Sequence, residues 1–382
     1  MNFEDICAVG RNLFSSKEFD TMAHTLTDPG ALIAALPAIF GFTPVRSLIF
    51  AGMAASDQPG MLKVDWALRV GLDELGPATT DPLPQSRVRF CESTGSRVLV
   101  LVVVDDRLAI GDGPRFTDRH KQFRRTAAAV EAQFAVHRIT VRAAFDCQAI
   151  TVGAPWWSLL GPQRHGTMPD PTDSAIAMER VLYGQPLHRS RDELVALVAP
   201  DPEIHDQMAQ LLPSARRAYQ TAAVGRADDH HRETIEWISG CFQTADRGGE
   251  IPLHDLAMVT AALCDDLVFN TMLAVAATRN ARAAESLWAL LARALPAPFR
   301  AVPASLLAFS TYLRGYGVLT AISLDIALDA VPNDPFALEI ARALDSAVHP
   351  SELLACAHHG AEIAATFGVH IEVTDPMHAN DQ

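Results

Sequence analysis

Apolar residues first recur at helical spacing behind Thr27-Asp28-Pro29, where an oxygen-bearing cap precedes a proline. Leu32, Ile33, Leu36, Ile39 and Phe40 predict a helix that Pro37 ends or kinks. The period then shortens. Residues 47–53 are β-branched and apolar, and beyond the Asp57-Gln58-Pro59-Gly60 turn residues 61–70 alternate strictly. Leu62, Val64, Trp66, Leu68 and Val70 fall on one side, with Lys63, Asp65, Ala67 and Arg69 on the other, predicting an antiparallel hairpin with one wet face. Residues 98–104 are unbroken apolar, the pattern of a central strand covered on both faces. A helix over 118–134, burying Phe123, Ala127, Val130 and Phe134, and a strand from Ile139 to about Val152 complete a parallel crossover.

The Gly, Pro and Asp content of residues 161–173 marks a linker. Beyond it the pattern is helical up to the last dozen residues, punctuated by a capping box at Ser190 and Glu193 and by Asp334-Pro335. Residues 302–314 and 317–331 read as a helical hairpin. Leu307, Ala308, Gly315, Leu324, Ala327, Leu328 and Pro332 fall where a tetratricopeptide unit puts its small and packing residues. One such unit cannot bury its own face, so neighbouring helices must complete it. The expected architecture is therefore an α/β mixed sheet with flanking helices over 1–160, then an all-α, tetratricopeptide-like domain over 174–375. Residues 376–382 form a frayed tail.

Length supports two cores, since 382 residues is over twice the ~150-residue domain norm. With 45 acidic against 31 basic side chains the net charge of -14 opposes phosphate backbones and anionic headgroups, so neither nucleic acid nor membrane is an expected partner. Cys7, Cys91, Cys147, Cys241, Cys264 and Cys356 are scattered, which suits buried thiols in a reducing cytoplasm better than a zinc knuckle or a disulfide framework. The acidic, interrupted N-terminus does not read as a secretory or transit peptide.

Chemistry is sparse. No phosphate-cradling Gly-Lys loop, HExxH helix or Gly-x-Ser-x-Gly elbow occurs, so no cofactor is expected and no catalytic set can be assembled. Asp105-Asp106 follows the central strand, where open α/β sheets bind ligands; the pair can hold a divalent cation or a ribose, or form a solvated turn. Arg115, Arg119, Lys121, Arg124 and Arg125 cluster as a solvated helix face or a phosphate contact. Asp228 to Glu233, with His230 and His231, reads as a polar helix start, and His358, His359 and His370 are a second ligand-type group. Neighbouring helical histidines point about 100° apart and cannot chelate as an i, i+4 pair, so no metal site is expected. Trp156 and Trp157 cannot share one strand face, and they read as a lock between the domains or the wall of a ligand pocket. Arg46 and Arg314, each beside a turn residue, can contribute charge-assisted contacts to the same junction.

Four segments in order, LIAALPAIFGFTPVRSLIFAG, APWWSLLGP, SAIAMERVLYGQPLHRSRDELVALV and LLAFSTYLRGYGVLTAISLDIALDAVPNDPFALE, resemble the actinobacterial family catalogued as domain of unknown function 4192. The resemblance covers about residues 26–349 and implies no activity or cofactor. Members of that family often carry cysteines soon after the double tryptophan, whereas Gly161 to His165 has none here. The expectation is a cytoplasmic, non-catalytic adaptor whose helical domain meets a protein partner. The alternative is an enzyme or small-molecule sensor using Asp105, Asp106 and the double tryptophan.

Overall fold

The computed structural model describes residues 7–9, 28–55, 62–73, 85–109, 114–182, 187–346 and 348–374. The turn expected at 57–60, residues 111–113 and the tail expected at 376–382 lie outside them. The described chain divides into a sheet unit reaching Glu193 and a helical unit beginning at Leu194, with residues 343–348 grouped with the first.

The sheet unit is built on β1 (Cys7–Val9), β2 (Ser47–Ala55), β3 (Leu62–Gly71), β4 (Val98–Val104), β5 (Thr140–Cys147), β6 (Pro155–Ser158) and β7 (His165–Thr167). They lie in the order β1-β3-β2-β4-β5-β6-β7, all neighbours antiparallel except the β4 and β5 pair. The helices are α1 (Pro29–Phe40), α2 (Gln85–Ser93), α3 (Pro114–Val136) and α4 (Ala175–Leu182). The continuous apolar run of β4 has the burial its composition demands. Leu99, Leu101 and Val103 pack on one face with Val88 and Cys91 of α2 and Phe123, Ala127, Val130 and Phe134 of α3. Val100, Val102 and Val104 are fully buried on the other, the face on which Gly30 of α1 approaches Trp156.

The structure departs from the expected elements at several points. Pro37 does not end α1, which runs on to Phe40. The turn closes through Gly41, left-handed at φ 80°, whose N–H bonds Pro37 O. The polar side of β3 is not fully wet: Lys63, Asp65 and Arg69 are half-buried and Ala67 is fully buried. The strand expected over 139–152 stops at Cys147, and the segment expected as a linker contains β7. Its end and α4 extend the sheet unit, Arg180 of α4 donating to Ala38 O at 2.9 Å. Residues 369–374 form no strand; Thr374 N instead donates to Ala277 O at 2.8 Å.

The helical unit contains α5 (Arg191–Ala196), straddling the boundary, α6 (Pro202–Ala223), α7 (Ala227–Asp246), α8 (Leu253–Leu263), α9 (Asp266–Val275), α10 (Ala281–Ala294), α11 (Ala301–Leu313) and α12 (Gly317–Ala330), then α13 (Pro335–Asp345) and α14 (Leu354–Thr366). Its core is rich in alanine and leucine, with Trp288, Phe242 and Phe309 its largest fully buried side chains. Among the described residues no single helix is long and apolar enough to cross a membrane.

Candidate functional site

The carboxyl ends of β4 and β5 meet α3 at a cluster of charge. Asp105 follows β4 and is fully buried. Its Oδ1 accepts from Arg107 N at 3.1 Å and Arg107 Nε at 2.7 Å, and its Oδ2 accepts from Arg119 Nη1 at 2.7 Å. Arg107 also donates to Asp73 at 2.8 Å. Asp106 turns the other way and takes a two-pronged contact from Arg46, at 2.8 and 3.2 Å. Arg46 stands at φ 46°, a left-handed backbone that costs a side-chain-bearing residue ~1 to 2 kcal/mol; the conformation aims its guanidinium across the strand ends. That guanidinium holds the Asp106 carboxyl below its ordinary range.

One strand over, a second buried carboxylate grips the next residue of α3. Asp146 is fully buried and its Oδ2 lies 2.8 Å from Nδ1 of His120, which is 15% exposed. A defect in register puts it there. The β4 and β5 pairing slips between Leu99 and Val100, so that Val141 and Ala143 are consecutive partners and Arg142 is an extra residue. The bulge reverses side-chain parity, sending Ala144 and then Asp146 to the face of β5 covered by α3. Oδ1 of Asp146 is buried with no hydrogen-bond partner. Burial pushes the carboxyl upward from its ordinary value, and the bond from His120 offsets only part of that.

The two carboxylates differ chemically. Asp105 is saturated by two arginines and reads as a strut fixing α3. Asp146 shares one oxygen with one imidazole. With Oδ2 as acceptor, the neutral ring carries its proton on Nδ1 and its lone pair on Nε2, the arrangement in which a carboxylate orients a general base.

Residues 29–351, spanning the cluster and most of the helical unit, match the family described as domain of unknown function, DUF4192. The chain belongs to that family. No curated protein and no solved structure matches it.

In this DUF4192 chain the residues singled out from sequence separate. Arg46, Asp105 and Asp106 come together, but three arginines occupy the two carboxylates, which replaces the divalent-cation reading of that pair. Among the described residues no group of three or more His, Cys, Asp or Glu is placed to hold a metal ion. Arg314 belongs to the helical unit, where it pairs with Glu285 at 2.8 Å and lies 5.1 Å from the Tyr316 ring centre. Trp156 and Trp157 do take opposite faces. Trp156 is buried edge-on to Phe145 at 5.4 Å, over Gly166 and beside Gly30; a Cβ on Gly166 would meet the indole at 2.8 Å. Trp157 packs half-buried on the α3 side. Both sit inside the sheet unit, which continues past them, so the pair does not mark the end of a domain. The loop that lacks cysteines is instead closed by Ser158, whose Oγ donates to Pro162 O and accepts from Arg164 N, each at 2.8 Å.

Arg119 was legible only as one of a basic run, and His120 and Asp146 were missed. The available signal was Asp146 itself, an acid between Phe145 and Cys147 at the apolar end of the strand.

Proposed function

We propose that the sheet unit binds a small polar molecule at the carboxyl ends of β4 and β5, and that His120, held by Asp146, exchanges a proton with it. The observation that carries this reading is the pairing of two wholly buried carboxylates, one just past β4 and one on its parallel neighbour β5, with consecutive residues of one helix turn. Burying such charges rarely benefits stability, since a hydrophobic replacement of similar volume is often neutral or better. A buried acid held above its ordinary value at a sheet's carboxyl edge, as Asp146 is, is instead what ligand chemistry selects. The guanidinium groups of Arg46, Arg107 and Arg119, between 31% and 47% exposed, supply donors at the same edge.

The test is a thermal-shift screen of small polar metabolites against the full chain and its Asp146→Asn and His120→Gln variants. A ligand at 100 times its Kd adds ~2.7 kcal/mol, or several degrees of Tm for a unit of this size. Hits on the native chain that vanish in both variants support the reading. No hits, or hits retained by both variants, reject it.

A second reading keeps the helical unit as the functional part, an adaptor for a protein partner in a reducing cytoplasm. It rests on the α11 and α12 hairpin. Gly315 turns it at φ 76°, and Ala308 and Ala327 are fully buried, as a tetratricopeptide-like unit requires. Co-purification of one stoichiometric protein that is lost on deleting the helical unit favours it over the first.

A further inference from the structure

The acidic start of α7 contains two neighbouring histidines that the fold buries, His230 at 8% exposure and His231 at 6%. Each faces a different element. The His230 ring lies 4.6 Å from the ring of Tyr219 on α6, and the His231 ring stacks on Phe367 at 4.8 Å, just past the end of α14. Nε2 of His231 lies 3.1 Å from Asp265 Oδ2. The other oxygen of Asp265 caps α9 by accepting from Leu267 N at 3.0 Å, and Tyr219 donates to Oδ2 at 3.4 Å. Four helices are therefore joined through two imidazoles and one carboxylate. Yet Nε2 of His230 and Nδ1 of His231 are buried without a partner.

We propose that His230 and His231 form an acid-sensitive latch, closed around the start of α7 while His230 is neutral and opened when His230 takes up a proton. The two rings are not equivalent. His231 has the Asp265 carboxylate at its Nε2 and the Phe367 ring on its face. A proton on His230 has no acceptor at its buried Nε2 and lies beside a second imidazole, ring centres 6.3 Å apart. The charged groups facing His230 are Arg226 and Glu233 on its own helix, His231, and Asp265 from α9; from α6 it meets Tyr219. Burial first, and then His231 and Arg226, hold His230 below its ordinary value of 6.5. Tyr219 is pushed upward by burial and Asp265, so it stays a donor throughout.

The sign follows from the lowered value. The open form binds the proton more tightly than the closed one, so the closed latch is fully favoured above the ordinary histidine value. That preference is lost as pH falls through it toward the lowered value. Each unit by which the fold depresses His230 makes opening about tenfold easier once the solution is acid. Because the latch groups all belong to the helical unit, it does not depend on the site at the sheet edge.

Hydrogen exchange on the full chain at pH 7.5 and 5.5, corrected for the intrinsic rate, tests this. We expect protection of the first turns of α7 and of residues 354–374 to fall at pH 5.5, by up to about tenfold, with α11 unchanged as an internal control. His230→Phe keeps a ring on Tyr219 without a nitrogen to charge, and should hold protection equal at the two pH values. Should His230→Phe fail to fold, NMR titration of the native imidazoles decides: a His230 ring that titrates below its ordinary value, with loss of the contacts to Tyr219, supports the latch. Equal native protection at both pH values, a loss that persists in folded His230→Phe, or a His230 that titrates at its ordinary value overturns it.

Discussion

Asp105 and Asp146 are both wholly buried carboxylates, and their partners give them opposite expected behaviour on substitution. Asp105→Ala leaves Arg107 and Arg119 facing a low-dielectric gap, and breaking a buried pair from one side costs ~3 to 5 kcal/mol. The arginines are about one-third exposed and can turn to water, so the lower end is the expected loss, read as a fall in the urea midpoint. Asp146→Asn leaves no charge stranded, since His120 can stay neutral and donate to the amide oxygen. The pH dependence carries the same contrast. Asp146 is raised above its ordinary 3.8, so the folded form holds its proton more tightly than the unfolded form. Its contribution is best below the ordinary value and is lost as pH rises through the folded one. Relative to Asp146→Asn, native stability should decline over that window. Asp106 is lowered by Arg46, so its contribution is present above the ordinary value and lost as pH falls through the lowered one. Being half exposed, it should be a small effect in any acid titration.

At the scale of elements, the tryptophan pair and the α11 and α12 hairpin give separable predictions. Trp156→Ala removes an indole packed on Phe145, Gly166 and Gly30, and should cost ~3 to 5 kcal/mol. Trp157→Ala, half-buried, should cost visibly less by the same denaturant melt. In the hairpin, Ala327 is fully buried, so Ala327→Leu overpacks it by ~1 to 3 kcal/mol; an unchanged melt would remove the close-contact account of α12. Elements with one dominant period were legible in the sequence, as β2, β3, β4 and the α11 and α12 hairpin show. Legibility ended where geometry is non-local. The short strands β6 and β7 are too brief to carry a period, and their pairing is fixed by Trp156 packing over Gly166. The Arg142 bulge leaves no periodic trace in β5, yet it decides which face receives Asp146. Without that parity, neither the acid nor its partner on α3 can be inferred.

Over the whole molecule, the net charge of -14 predicts no detectable binding to duplex DNA at physiological salt. A salt-sensitive gel shift abolished by reversing Arg124 and Arg125 would contradict that. The clustered arginines of α3 illustrate why charge counts alone mislead: Arg119 is spent on Asp105, so the run offers less free positive charge than its spelling suggests. On the proposed function, Asp146 is kept for the chemistry of His120 at a cost in stability. The most direct test is equilibrium urea unfolding of the full chain and Asp146→Asn at pH 7, followed by a probe of the sheet unit. The predicted result is a midpoint for Asp146→Asn equal to or above that of the native chain. A fall in the midpoint equivalent to ~3 kcal/mol or more, the size of a broken structural ion pair, would contradict it.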